Sequence, residues 1–168
     1  MKNSRSFLIA MVALSWSSLL FLKRPDFKRY LPAAIFMGIV TKLLNSLAKK
    51  RIWWWFYKSI HPKVSASDTW AWGLFFPISL WILKWTYGNL RLYFKCNFIL
   101  HTLFVFPGLI FLKKVGIVSL VRINKLQYFL ILFFRETLLY SFQFIKEYID
   151  SRKEYISSVN GESQDKQG

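Results

Sequence analysis

Cysteine is nearly absent from this chain, glycine and proline are scarce, and basic residues outnumber acidic ones three to one. Each shortage excludes something. The single cysteine, Cys96, cannot close an intrachain disulfide. Two histidines, His61 and His101, are too few for a multi-histidine metal site. The seven glycines build no phosphate-cradling loop, and there is neither a zinc-protease helix motif nor a Gly-x-Ser-x-Gly elbow. Glu136 is the only acidic residue inside an apolar block, so the paired carboxylates of a glycosidase are missing. No internal repeat is visible, which argues against an inverted-repeat transporter. These absences leave no catalytic motif and no cofactor to expect.

What is present is apolar: 54% of residues are hydrophobic and 20% are aromatic. They fall into five blocks, at 7–22, 30–48, 70–87, 92–112 and 126–145, separated by clusters of Lys and Arg. A helix needs about 20 apolar residues to cross roughly 30 Å of hydrocarbon. The blocks therefore predict an all-α, polytopic transmembrane bundle of four to five helices over residues 1–150. Residues 151–168 form a polar tail without a fold of its own. The first block ends without a small-x-small cleavage site, so it is expected to stay attached as an anchor helix. Pro32, Pro77 and Pro107 lie in or near spans, where proline is tolerated.

The net charge of +16 would suggest nucleic acid in a soluble protein. Here the cations flank apolar blocks, where they meet lipid headgroups. Anionic membrane lipids are the expected partners, and nucleic acid is not.

Hydropathy does not decide the fifth block. Its Leu, Ile and Phe residues contribute roughly −4 to −7 kcal/mol, against about +5 to +7 for Arg135 and Glu136 at the centre. On a helical projection Lys125, Arg135, Glu136, Gln143, Lys146, Glu147 and Asp150 share an arc about 120° wide. Such a stripe turns either into a bundle or toward water at the membrane surface. With five spans the basic residues divide eleven to nine between the two sides; with four they divide sixteen to five. The positive-inside rule then favours four spans plus a fifth helix packed along them, with the N-terminus in the cytoplasm of a multi-pass cytoplasmic-membrane protein.

Two groups of side chains stand out. Trp53, Trp54, Trp55 and Tyr57 read as a headgroup-level anchor helix or as a lipid- or polyisoprenoid-binding lip, with His61 at the membrane surface. Trp81, Lys84 and Trp85 repeat the aromatic theme, with Lys84 snorkelling between indoles. The second group lies deep in the spans: Lys42, Asn97, His101, Arg135 and Glu136. A charge at that depth needs a partner, so Glu136 should find a cation or His101, because Arg135 projects about 100° away on the helix. A polar clasp between helices, a proton or ion relay through Glu136 and His101, and a surface helix with both charges in water are the three readings. Small residues spaced by four, Ala13 with Ser17 and Ala34 with Gly38, suit close helix contact.

Leu31-Pro32-Ala33-Ala34, the aromatic run Trp53 to Tyr57 followed by His61-Pro62, and Trp81 through Gly88 together resemble a family of small polytopic integral membrane proteins of spore-forming Gram-positive bacteria. The resemblance spans roughly residues 1–150. It implies an α-helical cytoplasmic-membrane protein and supplies no activity. The expected function is therefore non-enzymatic, a structural or accessory membrane protein that packs with itself or with a membrane-protein partner. The alternative is a small ion-coupled carrier or permease component using Glu136 and His101.

Overall fold

The computed structural model describes residues 3–57, 59 and 65–165. His61, expected at the membrane surface, lies outside them. Five helical rods run up and down. The first, α1, is Asn3–Ser18, closed by a tight turn Leu19–Phe21. Next comes α2, Arg24–Arg51, with Pro25 in its first turn, where a missing N–H costs nothing. The third rod, α3, runs as Ala66–Trp70, a π turn Ala71–Phe75 and Phe76–Thr86. The fourth, α4, runs as Leu90–Leu103, a π turn Phe104–Gly108 and Leu109–Lys114. The last, α5, is Lys125–Asp165. Pro77 follows the first π turn by two residues and Pro107 lies within the second; each ring clashes with the carbonyl four residues back. Widening the local turn relieves that clash.

By length and composition, Ser4–Phe21, Arg24–Arg51, Leu90–Lys114 and Lys125–Ser158 can each cross a membrane. The chain is an α-helical membrane protein. This set differs from the sequence reading, which placed the block at 70–87 among the firm spans and doubted the one at 126–145. Four tryptophans, scored as polar, dilute the hydropathy of α3. Yet α3 is the most enclosed helix, with Trp70, Leu80 and Leu83 at 2% exposure or less. Its residues 66–86 reach about 31 Å at about 1.5 Å each.

The helices α2, α3, α4 and α5 form a ring in which each packs on the next, and α1 lies outside against α3. Contacts at the two ends fix the up-and-down order. At the N-terminal end the Ser4 hydroxyl donates to the Val115 carbonyl at 2.6 Å, and Trp54 packs edge-on against Tyr128. At the far end Arg29 of α2 makes a two-pronged pair with Glu147 of α5, at 2.6 and 2.7 Å. The fifth helix therefore runs the full height of the bundle. The surface-helix reading fails, because Arg135 and Glu136 are only 3% and 4% exposed.

Two short strands cover the N-terminal end. Strand β1, Trp54–Phe56, pairs antiparallel with β2, Val118–Leu120, placing Trp54 opposite Leu120. Ile52 takes a left-handed conformation, φ 55°, to turn the chain from α2 into β1. The packed bundle ends near Gln143 and Glu147. The helix α5 extends past the bundle as far as Asp165. No glycine or proline interrupts it before Gly161, and the side chains of residues 151–158 are all exposed.

Candidate functional site: a buried polar centre

Midway along α4, Tyr93, Asn97 and His101 recur every four residues and so share one face. All three are buried. Opposite them α5 presents Arg135 and Glu136. The contact between these two corrects the helical-wheel argument: the guanidinium folds back onto its neighbour, with Nη2 at 2.7 Å and Nε at 3.2 Å from Glu136 Oε1. Two Cα–Cβ bonds 100° apart do not keep a long arginine from reaching the next carboxylate. The Arg135 guanidinium also lies 4.0 Å from the centre of the Phe75 ring, contributed by the π turn of α3. That arrangement is a cation–π contact in a desolvated place, worth on the order of 2 kcal/mol.

The link across to α4 is a hydroxyl. Tyr93 donates to the backbone carbonyl of Glu136 at 2.7 Å and approaches its Oε2 at 3.4 Å. Asn97 Nδ2 donates to the Tyr93 carbonyl at 3.0 Å. His101 Nε2 stands 3.8 Å from Glu136 Oε1, beyond hydrogen-bond reach. The charge pair is thus neutral as a unit and held on three helices.

Beside it lies a cavity of about 110 Å³, enclosed by Trp70, Phe75, Asn97, His101, Arg135 and Glu136 among others. That is room for several waters, since one needs only about 10–15 Å³. Among the described residues four buried side-chain atoms have no hydrogen-bond partner, and three belong to residues lining this cavity: Trp70 Nε1, Asn97 Oδ1 and His101 Nε2. An orphaned buried polar atom costs about 1–3 kcal/mol. Three of them border this space, whose wall is otherwise largely apolar. The fourth is Gln143 Oε1, about two turns beyond Glu136 along α5, whose Nε2 donates to Glu147. No group of three or more His, Cys, Asp or Glu side chains able to hold a metal gathers among the described residues.

The other sequence-selected residues lie elsewhere. Lys42 lies outside the polar centre: its side chain is 60% exposed and its Nζ is 3.9 Å from Asp68. Trp53, Trp54, Trp55 and Tyr57 do not form an anchor helix, because residues 54–56 are extended. Trp54 is a core residue, its Nε1 donating to Asn45 Oδ1 at 3.2 Å, while Trp55 and Tyr57 are exposed. Lys84 sits 4.8 Å from the Trp81 ring and 3.7 Å from Asp26, and Trp85 is exposed. Gly38 receives a ring: a Cβ there would meet Trp72 Cη2 at 2.7 Å. Tyr93, Phe75 and Trp70 belong to the centre and were not singled out from sequence. Tyr93 had a signal, its spacing of four from Asn97 and eight from His101.

No protein-family model matches this chain, no curated protein matches it, and no solved structure matches it.

Proposed function

We propose that this chain is a non-enzymatic, accessory protein of the cytoplasmic membrane whose polar centre is a structural clasp between helices. The observation that carries this reading is the internal pairing of Glu136. Its carboxylate is satisfied by Arg135 on its own helix, and its backbone is tied to Tyr93 on the next. A carboxylate so held stabilises helix packing without needing to titrate. The N-terminus lies in the cytoplasm. Supporting this is the charge balance: the N-terminal end carries Lys49, Lys50, Arg51, Lys113, Lys114, Arg122 and Lys125, and Asp68 is its one acidic side chain among the described residues. At the far end three cations have carboxylate partners: Arg29 with Glu147, Lys146 with Asp150 and Lys84 with Asp26. Anionic lipid favours a cluster of cations such as that at the N-terminal end. Partners are anionic lipids and a second membrane chain, this one or another. Its place is with the small membrane proteins that its aromatic motifs resemble.

The second reading, an ion-coupled carrier, rests on the cavity that His101 and Glu136 line together. Proton uptake into liposomes driven by a pH gradient separates the two. The clasp gives no flux that depends on Glu136. A flux that disappears in a folded Glu136→Gln variant overturns the clasp and establishes the carrier.

A further inference from the structure

We infer a site for one anionic phospholipid at the N-terminal end of the bundle, in the pocket between the last turn of α4 and the first residue of α5. The pocket measures about 730 Å³ and is lined by Lys113, Lys114 and Lys125 above an apolar wall that includes Leu109, Ile110 and Ile123. Its size falls within the about 300–1,000 Å³ of small-molecule sites, larger than a bare phosphate requires. No acidic side chain lines it. Its two chemistries are stacked along the helix axis. Lys113 and Lys114 end α4, and Leu109 and Ile110 lie one turn deeper. That order matches a lipid, with a charged headgroup at the chain's exit from the membrane and a hydrocarbon tail below it.

The cations are positioned by the fold. The Lys125 ammonium is 5.9 Å from the centre of the Phe106 ring, which draws its stem toward α4. Asn124 caps α5, accepting from the Gln127 N–H at 2.8 Å while Gln127 Oε1 accepts from the Asn124 N–H at 3.1 Å. This reciprocal cap fixes where Lys125 starts the helix. Ile110 is 48% exposed toward the surrounding medium, so the wall is open for a tail to lie against it. A zwitterionic lipid brings its own cation to the same place, so three lysines without a carboxylate select net negative charge.

The site makes specific the lipid partnership proposed above. It shares no residue with the polar centre, so the two fail separately. The test uses the full chain in mild detergent and follows its thermal midpoint with phosphatidylglycerol, phosphatidylcholine or inorganic phosphate added. Phosphatidylglycerol is expected to raise the midpoint, and the other two to leave it unchanged. Lys113→Gln, Lys114→Gln and Lys125→Gln together should weaken the apparent lipid affinity on the order of a hundredfold, about fivefold per lysine. Lys49→Gln with Lys50→Gln, at the same end but off the pocket, should leave it intact. Ile110→Gln should weaken it without changing charge, which keeps the test open if the triple variant folds poorly. An equal loss in the Lys49/Lys50 variant, equal stabilisation by phosphatidylcholine or by phosphate, or an unchanged affinity in the Ile110 variant each overturns the site.

Discussion

Arg135 and Glu136 are consecutive in the chain, and their side chains meet at 2.7 Å inside the bundle. A pair carried on one helix needs no second helix to neutralise it. What α4 and α3 supply instead is enclosure: the Tyr93 hydroxyl on one side and the Phe75 ring on the other. The centre behaves as a single neutral, polar plug that α5 brings to the bundle already assembled.

Tyr93→Phe keeps the ring and removes the link from α4 to the Glu136 carbonyl. It should cost about 0.5–1.5 kcal/mol, the net worth of one hydrogen bond. Thermal unfolding in detergent measures this. An unchanged midpoint would show that the α4–α5 contact is held by ring packing alone.

Gly38→Ala places a methyl where the Trp72 ring already sits, 2.7 Å from the built Cβ. A cost of about 1–3 kcal/mol follows from overpacking. Trp72→Leu in the same chain should recover part of it. Recovery distinguishes a ring-in-notch contact from a loss of backbone freedom, which no change at Trp72 would repair.

Trp54 and Trp55 are neighbours with opposite fates. Trp54→Phe loses the bond to Asn45 and should destabilise by about 1 kcal/mol. Trp55 is 43% exposed, and Trp55→Phe should stay within about 0.5 kcal/mol of wild type. In single-tryptophan variants an aqueous quencher should reach Trp55 and miss Trp54. Equal quenching would restore the anchor-helix picture.

Because α5 runs the height of the bundle, its two ends should face opposite sides of a membrane. In a Cys96→Ser background, Asn124→Cys and Asp150→Cys should react with an impermeant thiol reagent from opposite sides of oriented vesicles. Labelling of both from one side would return α5 to the membrane surface.

Much of this architecture is legible in the sequence because the bilayer fixes helix length. The apolar blocks mark the rods, and the stripe of Arg135, Glu136, Gln143 and Glu147 marks the inward face of α5. Other features depend on information that a linear pattern does not carry. Strand β1 pairs with residues some sixty positions away, and nothing local in Trp-Trp-Phe distinguishes a strand from an interfacial helix. Hydropathy understates α3, since indole rings count as polar while Trp70 packs at 2% exposure. The helical wheel separates Arg135 from Glu136 because it projects Cβ directions and ignores side-chain reach. Lys42 shares its block with inward-facing residues, yet its side chain is exposed and reaches toward Asp68 rather than the polar centre.

The central claim is that the buried charges form a self-satisfied pair serving structure. Removing one charge strands the other, which costs about 3–5 kcal/mol; replacing both with apolar groups is neutral or better. The decisive measurement is therefore the stability of Arg135→Leu, Glu136→Leu and the double variant, compared by thermal unfolding in one detergent. The account predicts two strongly destabilised single variants and a double variant more stable than either. A double variant showing the summed losses of the two singles, or singles that change nothing, would contradict it.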